Sequence, residues 1–381
     1  MVAVPDLLAS VPAGVQVIRD RAGVEGLAEA WEFLADGAPG PLQHYPWIRS
    51  CAAAFAKGAN LHVLVVGPRE APVAGVPLAR RRDGRLVLLG GEELGEATDI
   101  PARDPRGLDL LATALQRSGS PVVLHRIPAE SAIIPALRRA YRGRGVVIVR
   151  PRPGCPWIPL AAGFPPDQQL SARRRSDLRR AARRAESFGV VTSEILSPAP
   201  AALEPILREA FCVEAAGWKG RRGSALERDP LRRAFFRRYA AEGSQEGELR
   251  VCFLRIDGRA AAMQLAMERD QRFWLLKIGY DEAFARCSPG MLLMQATLHY
   301  AAARGLHSLE FLGETEPWTR LWTARERPCV SVRTYPGTTW GLAAMAADAA
   351  AVTGRRLGRL LRSRHERAAA RRVPDLVAAA S

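Results

Sequence analysis

The stretch Val73 to Leu89, VAGVPLARRRDGRLVLL, recurs in outline at Ala260 to Leu276. At an offset of 187 residues Ala74 falls on Ala261, Leu78 on Leu265, Asp83 on Asp270 and Arg85 on Arg272. Each copy lies in the same sequence of elements. Leu61–Val66, Val73–Ala79 and Arg85–Leu89 are short β-rich runs separated by Gly, Pro and Asp, which predicts an antiparallel meander. Leu249–Leu254, Arg259–Met267 and Arg272–Ile278 repeat it, with turns at Asp257-Gly258 and Asp270-Gln271. Both meanders are followed by a loop, a helix and a further strand. A repeat of this length means two copies of one domain, because solenoids have shorter periods. The expected fold class is therefore α+β, in two tandem domains, each a mostly antiparallel mixed sheet flanked by helices. A chain of 381 residues is long enough for two separate cores.

Other elements frame these copies. Ala22–Asp36 has helical spacing, with Leu27, Trp31 and Leu34 on one face, and Tyr45-Pro46-Trp47 leads a second helix through Phe55. A loop over Gly90–Asp104 precedes a helix beginning at Pro105 or Arg106; Pro121–Arg126 is a strand, Ile133–Tyr141 a helix and Gly145–Arg150 a strand. The segment Pro151 to Leu160, PRPGCPWIPL, carries too many prolines for a regular element and reads as a linker. The expected division is 1–150, a linker at 151–160, 161–340, and a basic C-terminal helix or tail at 341–381.

Charge and cysteines narrow the class. The net charge of +16 points to nucleic acid, a membrane surface or an acidic ligand. Of 55 basic residues, however, only Lys57, Lys219 and Lys277 are lysine, so much of the excess reads as a GC-rich genome writing arginine. The six cysteines show no metal-ligand spacing, which predicts reduced thiols, mostly in the core, and no metal. The N-terminal MVAVPDLLASVPAG lacks a basic n-region, and no run of ~20 apolar residues could span a membrane. The expected location is the cytoplasm.

The candidate site lies in Phe273 to Gln295, FWLLKIGYDEAFARCSPGMLLMQ. The apolar run Phe273–Ile278 suits a buried strand and breaks at Gly279. Ser288-Pro289-Gly290 then opens a helix, with serine as a suitable N-cap and proline at the first helical position. Gly290 leaves the first turn uncovered, so its N–H groups could meet a phosphate. The competing reading is an ordinary capped helix.

Several further segments accompany this one: GVPLARRRDGRLVLLG (75–90), SARRRSDLRRAARRAESFG (171–189), GWKGRRGSAL (217–226), LKIGYDEAFARCSPGMLL (276–293) and LEFLGETEPWTRLW (309–322). Together with the Trp47 helix they resemble the GNAT superfamily of acetyl-CoA-dependent N-acyltransferases. The doubled form resembles the CelD/BcsL-type proteins of cellulose biosynthesis, themselves related to Fem-type aminoacyl transferases. The resemblance implies an acyl group carried on coenzyme A, a splayed pair of central strands around the pantetheine, and backbone amides on the pyrophosphate. In place of the usual Q/R-x-x-G-x-G/A loop this chain has Arg286-Cys287-Ser288-Pro289-Gly290. The residues expected at the acyl donor (acetyl-CoA or another acyl-CoA) are Ile278, Gly279, Arg286, Ser288, Pro289, Gly290, Met291 and Leu292. Fem-type relatives take aminoacyl-tRNA instead, which makes tRNA the less favoured partner.

Acyl transfer needs a deprotonated amine or hydroxyl and hence a base. None of the six histidines falls in these motifs. Asp281 follows the cleft strand, Glu310 stands inside an apolar strand where a carboxylate is costly unless paired or used, and Lys277 and Glu214 are further candidates. Structural ion pairs, such as Lys277 with Glu310, are the alternative. Trp218, Lys219, Tyr280, Glu316 and Trp322 are expected at the acceptor, a small molecule or saccharide. The arginine helix carries Arg173, Arg174, Arg175, Arg179, Arg180, Arg183 and Arg184, without interleaved aromatics, and reads as a solvated face or a coenzyme contact before an RNA surface. The alanine-rich stretch from Leu342 could dock on the domain or touch a membrane; the sequence leaves both open.

Overall fold

The structure is a computed structural model that describes residues 14–56, 60–160, 166–217 and 226–354. Its strands are β1 (Val15–Ile18), β2 (Leu61–Val66), β3 (Ala74–Arg80), β4 (Leu86–Leu88), β5 (Val122–Pro128), β6 (Gly145–Pro159), β7 (Val191–Leu196), β8 (Leu249–Ile256), β9 (Arg259–Arg269), β10 (Arg272–Tyr280), β11 (Ser308–Glu310) and β12 (Glu326–Pro336). Helices are α1 (Arg21–Glu25), α2 (Ala28–Ala35), α3 (Tyr45–Phe55), α4 (Gly91–Leu94), α5 (Pro105–Arg117), α6 (Ile133–Ala140), α7 (Ala172–Glu186), α8 (Leu203–Ala215), α9 (Pro230–Gln245), α10 (Pro289–Ala303) and α11 (residues 339–354). The expected 22–36 helix is two, broken at Gly26, yet Leu27, Trp31 and Leu34 are buried together as their spacing predicts.

All twelve strands join one sheet in the order β1-β2-β3-β4-β5-β12-β6-β11-β10-β9-β8-β7. The repeat read in the sequence is a repeat of topology. Each half runs an antiparallel meander (β2-β3-β4, β8-β9-β10) into a parallel partner, β5 beside β4 and β11 beside β10. The two halves then exchange their last strands: β12, from the C-terminal half, lies against β5, while the end of β6, from the N-terminal half, lies against β11.

The expected linker is thus corrected to a strand. Prolines 151, 153, 156 and 159 remove donors but not acceptors, and a register shift between Arg327 and Cys329 absorbs one irregular step. The carbonyl of Pro156 still accepts from Phe311 N at 3.0 Å, and Trp157 N donates to Arg325 O at 3.2 Å.

A shared core locks the halves. Trp47 meets the Phe235 ring edge-on at 4.9 Å and Tyr239 at 5.1 Å, and Trp31 and Trp274 belong to the same buried cluster. A Cβ at Gly40 (φ +92) would stand 2.5 Å from the Trp274 ring, so only glycine fits there. Separate cores lie under α7 and α10 in one half and under α5 and α6 in the other. The C-terminal helix docks: Asp348 on α11 accepts from Arg85 and Arg333 at 2.7 Å each and from the Tyr335 hydroxyl. Residues 355–381 lie outside the described residues. All six cysteines are free, and all except Cys212 are buried.

Candidate functional site

The register of β10 with β11 runs only from Arg272↔Ser308 to Trp274↔Glu310. Strand β11 then ends, the chain turns at Leu312 (φ 57), and β10 continues to Tyr280. A register shift between Leu275 and Lys277 adds Leu276 to β10 and bends it at this point. Between the diverging strands lies a cavity of ≈ 520 Å³. Leu275–Tyr280 form one wall, Phe311, Gly313, Glu314, Glu316, Trp318 and Thr319 another, and Ser288–Met291, the first turn of α10, a third. Glu214 and Gly217 close it from the end of α8. That helix presses on β10: a Cβ at Gly279 would meet Glu214 Cα at 2.7 Å.

The helix start differs from its expected form. Ser288 is left-handed (φ 49, ψ 55) and its side chain makes no capping bond; Pro289 occupies the first turn as expected. A Cβ at Gly290 would find only Tyr280 Cδ1 at 3.9 Å, so the turn faces open space in the cavity. An uncovered helix N-terminus carries partial positive charge and unpaired N–H groups, which suit an anion.

Of the expected site residues, Lys277, Glu214, Ile278, Gly279, Tyr280, Ser288, Pro289, Gly290, Met291 and Glu316 line this cavity. Lys277 Nζ lies 4.9 Å from the Phe236 ring centroid, and the buried Glu214 accepts from Leu226 N at 2.8 Å. Trp318 Nε1 donates to Glu316 at 2.7 Å.

Others are placed elsewhere. Asp281 caps the turn after β10 through Ala283 N (2.9 Å) and pairs with Arg259. Glu310 is 1% exposed and receives Arg327 at 2.9 and 2.6 Å together with the Ser308 hydroxyl, so Arg327 is its ion-pair partner. Neither carboxylate lines the cavity: Glu310 is held within β11 by Arg327, and Asp281, one residue past β10, is held by the turn it caps and by Arg259. Leu292 and Trp322 are core residues, and Arg286 is exposed outside the lining. Trp218 and Lys219 fall outside the described residues.

One lining group went unread. Glu96, in the loop after α4 of the N-terminal half, reaches the cavity of the C-terminal half. Burial pushes its carboxyl up to about 7, against the opposing pull of Arg126, Lys277, Arg232 and the Gly313 N–H. Arg126, 2% exposed, donates to Gly313 O (2.9 Å), Cys155 Sγ (3.1 Å) and Gly95 O, so one guanidinium ties the Glu96 loop to the cavity rim. The sequence offered one weak signal: the loop follows β4 as residues 281–288 follow β10.

Residues 172–320 match the family described as acetyltransferase (GNAT) domain. No curated protein matches the chain. Among solved structures, the chain is similar to the C-terminal DUF2156 domain of a candidate lysylphosphatidylglycerol synthetase from Agrobacterium fabrum. That likeness has 14% identity and a TM-score of 0.56, over 86% of this chain and 96% of that one. It is also similar to FemX (10% identity, TM-score 0.49, 84% and 97% covered). A tandem GNAT protein of the clavulanic acid biosynthesis pathway gives 13% identity and a TM-score of 0.46, with 85% and 99% covered. The chain is an α+β protein of two halves with the same strand order, and its residues 172–320 match an acetyltransferase (GNAT) domain.

Proposed function

We propose that the protein moves an acetyl or other acyl group from a coenzyme A thioester to an amine or hydroxyl of a small molecule or saccharide, and that only the C-terminal half holds the donor. The observation that carries this reading is the meeting of two features in one cavity: the opening between β10 and β11 and the uncapped first turn of α10. The opening suits an extended pantetheine arm, with Ile278 and Gly279 along it. Ser288–Met291 suit the pyrophosphate, whose charge the helix N-terminus favours. Glu214, Tyr280 and Glu316 line the same cavity, which supports a role for them at the acceptor. The tandem motifs support a place beside the CelD/BcsL-type proteins, and soluble thioester donors fit a cytoplasmic setting. Among the described residues no helix is long and apolar enough to cross a membrane.

A second reading, aminoacyl transfer from tRNA, draws on α7, where Arg173, Arg179, Arg180, Arg183 and Arg184 are exposed. Thermal denaturation with acetyl-CoA, longer acyl-CoAs and tRNA separates the two, since a ligand of the folded state alone raises Tm. A rise with the thioesters supports the first reading, and a rise with tRNA alone the second. With neither, a non-catalytic scaffold in exopolysaccharide synthesis becomes the better account.

A further inference from the structure

We propose that Glu96 of the N-terminal half is the proton acceptor for a cationic primary amine bound in the cavity of the C-terminal half. The inference rests on the acyl-transfer reading and adds to it the class of acceptor and the residue that activates it.

The charge of the walls selects the acceptor. Glu96, Glu214, Glu314 and Glu316 line the cavity, and Lys277 is the cationic side chain among its described lining residues. Arg152 pairs with Glu314 at 3.5 Å, and Arg126 and Arg232 act on Glu96 from outside the lining; the wall itself is acidic, and an ammonium ion complements it better than a neutral alcohol does. Glu96 is distinct within it. Its Oε2 is buried and has no hydrogen-bond partner among the described residues. A buried carboxylate oxygen left bare is costly, and an N–H donor arriving with a ligand removes that cost. Its backbone is fixed from behind, since Gly95 (φ +71) ends α4 and its carbonyl is held by Arg126, which also grips Gly313 across the halves. The acid is thereby presented to the cavity by a rigid mount.

The protonation state suits the role. With Arg126, Lys277 and Arg232 facing it, and Glu214, Glu314 and Glu316 across the cavity, the Glu96 carboxyl still titrates near 7, where a base can both take and release a proton. The amine then reacts in a balanced sequence. Its ammonium gives one proton to Glu96, and its nitrogen lone pair forms a C–N bond to the thioester carbonyl. The C–S bond breaks, and the departing sulfur carries away a second proton from that nitrogen. The products are an amide and a thiol, and Glu96 returns its proton to water.

The test uses the full chain with acetyl-CoA and matched acceptors: n-butylamine and n-butanol, glucosamine and glucose, glycinamide and glycolamide. Thiol release, Tm and acetyl-CoA affinity are measured for the wild type and Glu96→Gln between about pH 5 and 9, roughly two units either side of neutral. The expected result is turnover with amines alone, an acid limb near the Glu96 pKa in the wild type, and a loss of ~10²–10⁴ in kcat in Glu96→Gln at unchanged acetyl-CoA affinity. Stability supplies a check on folding. The carboxyl pKa is raised on folding from 4.5 to about 7, so the wild type loses stability as pH rises through that window. Glu96→Gln therefore keeps or raises Tm above it. Wild-type turnover in Glu96→Gln, acylation of alcohols as fast as their paired amines, or acetyl-CoA binding without consumption by any amine would each overturn the proposal. Absence of any Tm response to acetyl-CoA instead removes the acyl-transfer reading on which it rests.

Discussion

The two halves place the same device at their centres and use it differently. Each joins a parallel strand pair, β4/β5 or β10/β11, through a loop and a helix with proline in its first turn. In the N-terminal half Asp104 caps that helix, its carboxylate accepting from Gly107 N at 2.7 Å. The turn is packed shut as well, since a Cβ at Gly107 would stand 2.4 Å from the Val73 carbonyl oxygen. In the C-terminal half Ser288 makes no side-chain cap and Gly290 faces the cavity. Strand order supplies an anion-ready helix start in both places. What the residues ahead of and behind the proline do to its N–H groups decides whether a ligand can use it.

The largest expected effect concerns the exchanged strands that make the halves inseparable. Arg327→Ala strips the buried Glu310 of its partner between β11 and β12. With Arg327 itself half-exposed the loss is expected near the low end for a buried pair, about 3 kcal/mol. Urea denaturation should show one cooperative transition at a lower midpoint. Two transitions would mean that the halves unfold separately and that the comparison is between independent domains.

Next, Gly107→Ala should cost about 1–3 kcal/mol, because the added methyl meets backbone. Gly290→Ala should leave stability within about 0.5 kcal/mol, since its methyl enters open space, while weakening acetyl-CoA binding. Equal destabilisation would show that the second helix start is as closed as the first.

Importing the carboxylate is subtler. Ser288→Asp should weaken acetyl-CoA binding by about 1 kcal/mol, roughly fivefold, through repulsion at the helix start. Asp104→Ser should leave that affinity unchanged and should retain much of the cap. Calorimetric titration of both variants decides it, and equal losses would place the donor in both halves.

The smallest effect is expected at Asp281→Asn. Its carboxylate serves a turn and the exposed Arg259, so turnover should stay within about threefold of wild type and stability should fall by less than about 1 kcal/mol. A large loss of kcat would return Asp281 to the reaction.

Much of this fold was legible because its signals are local. Tyr45–Phe55 begins and ends where its periodicity and Pro46 predict, and α5 starts at Pro105 behind Asp104. The meanders followed from alternating apolar runs and their turns, with Asp257, Asp270 and Gln271 all at positive φ. Strands β1, β7 and β12 went unread. Among these, β12 is polar at alternate places and borrows its burial from both halves. The proline-rich segment was misread because local propensity disfavours a strand that two neighbours can nevertheless hold.

The same distinction separates the site residues. By itself the sequence determined the repeat, the α+β class and the strand–loop–helix from Phe273 to Gln295, all of which depend on neighbours within a few turns of chain. It also contained Lys277, Ile278, Gly279, Ser288, Gly290 and Met291, which line the cavity because they lie along that one stretch. Only the tertiary structure decided that Asp281 and Glu310 turn away to Arg259 and Arg327, since the direction a carboxylate takes depends on what packs beside it. Only it brought Glu96 to the cavity, across a sheet whose two halves exchange their last strands. No local pattern can report a contact between residues so far apart along the chain, because the energy that fixes it resides in the shared core and in Arg126.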